Sequence, residues 1–239
     1  MSVVIAEHLT IDQWLDLHFP DPGPADLIRL EAKSRRDYGN VSYFFTRRGG
    51  RWHFPPDARI NFDEPSACVS RNRDTEMTLS PLLYQHSPMP NAPARLPLLW
   101  ACLPLKIVAS RFDPALGAVD AESERTAFAR LDACSPNFTL VLHEGRRLTA
   151  FWRLRESLPA PAEPLQENRS GPWGDKPEAK VQRVLWHLAQ KLNGSRDDLD
   201  PRRVTFAIPG TPMAGVYPTR LVTVTLGPDV GRRFAIDEL

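Results

Sequence analysis

The sequence has few of the features that mark secreted, membrane or metal-binding proteins. Its only cysteines are Cys68, Cys102 and Cys134, with no C-x-x-C pair, which argues against a disulfide framework or a cysteine zinc site. No apolar run approaches the roughly 20 residues that span a bilayer, and "MSVVIAEHLT" has no basic region followed by an apolar core, as a secretory signal would. We therefore expect a cytoplasmic protein without a membrane partner.

An excess of charge of one sign and the common catalytic motifs are also missing. The chain has 30 Lys and Arg residues against 29 Asp and Glu, a net charge of +1, so a nucleic-acid surface would require local clustering of charge. No two histidines lie four residues apart, and no Walker, G-x-G-x-x-G or G-x-S-x-G motif occurs. A histidine metal site and these nucleotide-binding or hydrolase classes are not expected.

Proline is abundant, and the elements that we predict are short. The chain has 24 prolines in 239 residues, about twice the usual share of roughly 5%, and proline interrupts helices and central strands. Apolar spacing predicts helices at 10–18, 120–134 and 177–194, with Gly194 just beyond the last one. Strands are predicted at 25–33, 40–54 (a hairpin), 96–110 (interrupted by Pro104), 138–145, 148–154, 202–210 and 219–227, with 55–95 mostly loop.

This alternation of strands and helices predicts an α+β or a mixed α/β fold, in two parts. Residues 1–95 are predicted to form an N-terminal subdomain of helix and hairpins. Residues 96–239 are predicted to form the core, with a proline-rich linker at 158–177.

Four stretches of the second part carry a resemblance through their order and spacing. They are "LLWACLPLK" (98–106), "SPNFTLVLHEGRRLTAFWRLRESLP" (135–159), "LAQKLNGSRDDLD" (188–200) and "RRVTFAIPGTPMAG" (202–215). Together they resemble the catalytic domain of archaeo-eukaryotic-type primases, in the primase-polymerase and plasmid replication-primase branch. The resemblance implies an α+β fold with a mixed, largely antiparallel sheet flanked by helices.

The resemblance also implies a site for nucleotidyl transfer, and this chain departs from it. In the family, a pair of acids on a strand end and a third acid hold two Mg²⁺ or Mn²⁺ ions, and a hairpin histidine contacts the nucleotide phosphates. Cys102 and Pro104 stand at the paired acids, Thr149 at the histidine and Ser195 near the third acid. The comparison therefore favours a degenerate protein without polymerase activity, metal ion or other cofactor.

Basic residues near two hairpins are candidates for nucleic-acid contact. Arginines beside aromatic side chains are typical of grooves that bind single strands, and paired guanidinium groups suit phosphate. Solvated turns and a buried aromatic face are the structural alternatives. The candidate residues are Arg146, Arg147, Arg47, Arg48, Arg203, Trp52 and Tyr43.

Three hypotheses about function stay open from the sequence. The first is a degenerate primase-like protein that binds single-stranded DNA or RNA, or scaffolds a helicase or other replication protein, in a plasmid, phage or integrated element. The second is an active primase or nucleotidyltransferase whose Mg²⁺ or Mn²⁺ ligands are displaced to Asp113, Asp197 or Asp198. The third is a protein–protein adaptor without nucleic-acid contact.

Overall fold

The protein is described by a computed structural model. It describes residues 4–6, 9–19, 21–33, 40–54, 64–72, 76–85, 92–111, 117–160, 177–196, 199–213, 216 and 220–239. Within these ranges the chain forms a large sheet accompanied by helices, so the predicted α+β class is confirmed.

The helices fall close to the predicted ranges. The helices are α1 (Ile11–His18), α2 (Pro65–Arg71), α3 (Ala121–Asp132) and α4 (Pro177–Leu192), and a 3₁₀ turn covers Ile236–Glu238. Thr10 closes the start of α1 through a capping box with Gln13, and Asp120 caps α3 by accepting from the Ser123 amide. These caps satisfy backbone donors that the first helical turn leaves without partners.

The strands are mostly antiparallel and make one continuous sheet with a small separate one. The strands of the large sheet are β1 (Val4–Ala6), β2 (Asp26–Lys33), β3 (Asn40–Arg48), β4 (Arg51–His53), β5 (Met77–Leu79), β6 (Leu83–Gln85), β7 (Ala92–Pro104), β10 (Leu140–His143), β11 (Arg147–Pro159), β12 (Phe206–Ala207) and β13 (Thr223–Leu226). The small sheet pairs β8 (Ile107–Ala109) with β9 (Gly117–Val119).

The two longest strands form the centre of the sheet. Its order is β1-β13-β10-β11-β7-β6-β2-β3-β4, with β5 and β12 attached beside β2. β7 and β11 run antiparallel from the Arg147–Pro104 pair to the Arg153–Leu98 pair. Trp100 and Trp152 lie on these neighbouring strands and are both buried in the core.

The local predictions differ from the structure in three places. Within the 55–95 stretch, predicted to be mostly loop, the described residues include α2, β5, β6 and the start of β7. The predicted 96–110 strand is interrupted at Pro104, as expected, and resumes in the small sheet, whereas the two late strands are shorter than predicted and form β12 and β13. Beyond α4 the left-handed residue is Asn193, with φ 51°, rather than Gly194.

The predicted division at residue 95 stays a prediction. The large sheet contains strands from both sides of that position. Of the predicted linker, 161–176 lies outside the described residues.

Candidate functional site

The positions where the sequence departs from the primase pattern converge at one end of β7 and β11. Cys102 and Thr149 are register partners, with Cys102 Sγ 3.6 Å from Thr149 Oγ1. The Ser195 amide donates to the Cys102 carbonyl at 2.6 Å, and Pro104 pairs with Arg147. The structure thus brings all four predicted positions together, around a site that has no acid at any of them.

The end of α4 packs directly on the backbone of β7. A Cβ built on Gly194 would lie 2.6 Å from the Cys102 carbonyl oxygen, closer than a side-chain atom approaches a backbone oxygen. The Gly194 amide donates to the Ala189 carbonyl at 2.7 Å. Gly194 therefore allows the close approach to β7, while the preceding Asn193 makes the left-handed turn.

Glu144 is the main feature of this site that sequence reasoning missed. It begins the β10–β11 turn, and its side chain is only 6% exposed. Its Oε2 accepts from Arg147 Nε and from Thr149 Oγ1, both at 2.6 Å. Its Oε1 accepts from the Ala207 amide at 2.6 Å and from Arg147 Nη2 at 3.3 Å. Since a carboxylate offers about four lone-pair positions, these donors use its whole accepting capacity.

The hydrogen bonds fix the direction in which each proton points. The Thr149 hydroxyl has one proton, which it gives to Glu144. The Cys102 thiol must therefore act as the donor in its contact with Thr149 Oγ1. Arg147 also donates through Nη2 to the Thr205 carbonyl at 2.8 Å, so the network extends from the hairpin to the segment before β12.

His143 fixes the turn that carries these groups. The Gly145 amide donates to His143 Nδ1 at 3.2 Å, so the neutral ring has its proton on Nε2, which lies 3.1 Å from Glu124 Oε1. Burial lowers the pKa of His143, opposed by the nearby Glu124 carboxylate. Gly145 has φ 89°, and a Cβ there would lie 2.6 Å from Val216 Cγ2, so this turn requires glycine.

The residues at this site do not fit a two-metal centre. Neither the Cys102 thiol nor the Pro104 ring offers the oxygen ligand that Mg²⁺ prefers, and all four acceptor positions of Glu144 are taken. Within the described part of the chain, no group of three or more His, Cys, Asp or Glu side chains is placed to hold a metal ion. Asp113, Asp197 and Asp198 lie outside the described residues.

Exposed basic side chains surround the Glu144 site, and we call them the basic rim: Lys106, Arg146, Arg203 and Arg220. The Leu105 amide donates to the Arg146 carbonyl at 2.8 Å, which places Lys106 beside the hairpin turn. Arg203 precedes the Thr205 carbonyl that Arg147 contacts. The Met213 amide donates to the Arg220 carbonyl, and Met213 packs on Gly145. The structure therefore places Arg146 and Arg203 on neighbouring segments and adds two cations that the sequence did not indicate.

The first hairpin, β3–β4, lies at the other end of the sheet. Its register runs from Thr46 through Leu27 to Tyr84, beside the start of β7, whereas Arg147 pairs with Pro104 at the end of β7. These two pairings lie near opposite ends of β7, a strand of 13 residues. Arg47 and Arg48 are therefore not part of the basic rim.

The aromatic residues of the first hairpin have surroundings different from those that the nucleic-acid hypothesis requires. Trp52 is 1% exposed, and its Nε1 donates to Asp16 Oδ1 at 2.9 Å. Arg47 pairs with the other oxygen of Asp16 at 3.1 Å, and Tyr43 is half-buried. Trp52 packs the hairpin onto α1, and its buried faces are closed to a nucleobase.

A half-buried tryptophan lies nearer to the basic rim. Trp186, on α4, has the Arg196 guanidinium 4.4 Å from its ring centroid. Arg196 follows Ser195, whose amide contacts Cys102. Sequence reasoning passed over this pair because Trp186 belongs to a helix whose other apolar residues are in the core.

Comparison with solved structures identifies the architecture. The AEP domain of the cyanophage S-2L primase-polymerase matches 95% of this chain and 93% of its own, with a TM-score of 0.53 and 12% sequence identity. The fold is primase-polymerase-like. The polymerase domain of Mycobacterium tuberculosis ligase D, in complex with DNA, matches 100% of this chain and 92% of its own at 12% identity, but with a TM-score of 0.40, too low to support an argument. No protein-family model and no curated protein matches the sequence.

The primase-polymerase-like fold confirms the structural part of the resemblance seen in the sequence. At 12% identity the likeness concerns the fold alone. No helix among the described residues is long and apolar enough to cross a membrane.

Proposed function

We propose that this chain is a degenerate primase-polymerase-like protein that no longer transfers nucleotides and binds single-stranded DNA or RNA through the basic rim. The observation that carries the proposal is the convergence of Cys102, Thr149 and the saturated Glu144 carboxylate at the end of the two central strands. A site built this way has no acceptor left for a metal ion. The basic rim around the site still attracts phosphate groups electrostatically.

The basic rim supports binding through a local field, because the whole chain carries a net charge of only +1. Arg146 is exposed, and the Arg203 side chain is 66% exposed and 3.5 Å from Asp200 Oδ2. Exposed guanidinium groups exchange such weak surface pairs for phosphate oxygens at little cost. The proposed binding needs no metal ion or other cofactor.

The proposed setting is cytoplasmic replication of a plasmid, phage or integrated element, with a helicase or another replication protein as partner. A cyanophage primase-polymerase shares the fold, which supports this setting. In such a role the protein would hold single strands near the replication machinery without extending them.

Two assays on the purified protein test the proposal. In the first, a labelled nucleotide is supplied with a primed template and Mg²⁺ or Mn²⁺, and we expect no incorporation. Incorporation that disappears in the D113N, D197N or D198N variant would establish displaced metal ligands and overturn the degenerate interpretation. In the second, fluorescence anisotropy with labelled single-stranded oligonucleotides should show salt-sensitive binding. No binding at low salt would refute the nucleic-acid role and favour a protein–protein adaptor.

A further inference from the structure

The donors around Glu144 form a set that suits an oxyanion in general. Arg147 presents two guanidinium nitrogens, Thr149 a hydroxyl and Ala207 a backbone amide, all directed at one pair of oxygens. This combination of a planar fork, a hydroxyl and a main-chain amide also recurs where proteins hold phosphate. In this chain the oxygens belong to a residue of the chain itself.

The occupant is held in place by its own turn. Glu144 precedes Gly145, whose Cα is enclosed by Val216 and Met213. The Glu144 amide donates to the Arg147 carbonyl at 3.0 Å, so the backbone cannot easily swing the carboxylate out. A tethered group of this kind competes at a high effective concentration, of the order of millimolar or above, and its charge repels a second anion.

The site requires an anion, because the Arg147 guanidinium carries a positive charge that has to be balanced. The Arg147 side chain is 25% exposed and Thr149 is fully buried. Without Glu144, the guanidinium, the hydroxyl and the amide would each lose the acceptor that the carboxylate supplies, although Arg147 keeps the Thr205 carbonyl. Donors that lose an acceptor in a buried position are costly. A small oxyanion of suitable shape would restore these hydrogen bonds.

We propose that Arg147, Thr149 and the Ala207 amide form an oxyanion site that Glu144 closes as a built-in occupant. The native protein therefore excludes free phosphate from the hairpin, and its phosphate contacts are confined to the basic rim. Removing the Glu144 side chain creates a site for a small oxyanion, of which inorganic phosphate is the probe. This inference concerns the buried network and stands whether or not the rim binds nucleic acid.

The test compares wild type, E144A and E144A/R147A, in inorganic phosphate and in chloride of the same ionic strength. Thermal unfolding is the first measurement. We expect E144A to have a lowered Tm that phosphate raises in a saturable manner, while the Tm of wild type changes no more than it does in chloride. E144A/R147A should not respond, because the guanidinium fork is gone. Broadening of the ³¹P resonance of phosphate by E144A alone gives a second, independent signal.

A matched variant tests whether phosphate needs the space that E144A opens or only the loss of the negative charge. In E144Q the side chain keeps its volume and loses its charge, so phosphate has no room and E144Q should not respond. A response of E144Q equal to that of E144A would overturn the proposal. So would equal responses of E144A and E144A/R147A, since phosphate then acts as a general stabilising salt.

Folding failure would also be informative. If E144A does not fold in chloride, refolding is attempted in phosphate. Recovery of E144A but not of E144A/R147A supports the proposal, and failure of both to recover in phosphate overturns it.

Discussion

The Cys102 thiol and the Thr149 hydroxyl face each other across the two central strands, 3.6 Å apart. This pair is the first step of a chain of hydrogen bonds that leads through Thr149 to Glu144. These two polar groups stand where the family pattern would place catalytic side chains, and they are hydrogen-bonded within the network. The network therefore contributes to stability, and its disruption is measurable.

Thr149→Val removes the central hydroxyl of this network while keeping the side chain's shape. Glu144 then loses its 2.6 Å bond in a buried position, and we expect the free energy of unfolding to fall by about 1–3 kcal/mol. Urea denaturation measures the decrease. Thr223→Val, at a half-buried position of β13, is the control and should change stability by no more than about 0.5 kcal/mol. Equal effects of the two substitutions would show that the network is not stabilising.

Trp152→Ala should produce a larger decrease, because the indole is fully buried beside β7 and its Nε1 donates to the Pro136 carbonyl at 3.2 Å. The expected cost is about 3–5 kcal/mol, the usual range for truncation of a buried aromatic residue. Trp186→Ala, at a half-buried tryptophan, is the matched control and should cost clearly less. An unchanged Tm for Trp152→Ala would contradict the placement of the β10–β11 hairpin in the core.

The salt dependence of oligonucleotide binding should locate the residues that touch phosphate. Removing one cation that neutralises a phosphate lowers the slope of log affinity against log salt by about 0.7 for single strands, so R146A/R203A should flatten it by about 1.4. R48A/R51A removes the same charge from the tip of the first hairpin, at the far end of the sheet, and should leave the slope unchanged. The reverse result would place the binding surface on the first hairpin.

The stability of the protein should fall in acid partly because of His18. Burial and the nearby Arg153 charge lower the pKa of His18 to about 3 from its usual 6.5. Between about pH 3 and pH 6.5 the unfolded chain therefore binds a proton at His18 that the folded chain does not bind. The stabilising effect is complete above about pH 6.5, and falls by about 1.4 kcal/mol per pH unit as the pH drops toward 3.

His18→Leu should flatten this pH dependence. The free energy of unfolding is measured by urea denaturation from pH 7 to pH 4 in the variant and in wild type. The pKa of His143 is also lowered by burial, so His143 keeps a contribution of the same sign and part of the slope remains. Identical slopes for the two proteins would show that His18 is protonated in the folded state.

The sequence predicted much of the fold because local patterns dominate it. The Thr10 cap, the apolar stripe of α4 and the short apolar run around Trp152 are visible in short windows of the sequence. The three-residue strands β5 and β6 were missed, since so few residues carry no clear period.

The site was predicted less completely because its geometry depends on distant pairings. Arg146 and Arg203 were found individually, yet the rim that joins them depends on the hydrogen bond of Arg147 to the Thr205 carbonyl, 58 positions away. Glu144 is bonded to the Ala207 amide, 63 positions away, and no spacing rule links such residues. Trp52 was a candidate for nucleic-acid contact, because an aromatic beside arginines looks the same from sequence whether it faces solvent or core.

The close packing of Gly194 against the Cys102 carbonyl separates the architecture of this site from its chemistry. The Ser195 amide and that carbonyl are both main-chain atoms, so no substitution at position 102 removes the bond between them. The main-chain contact between the end of α4 and β7 therefore does not depend directly on which side chain position 102 carries. A lineage could exchange that side chain and keep this contact, provided that the replacement fits the buried space around it.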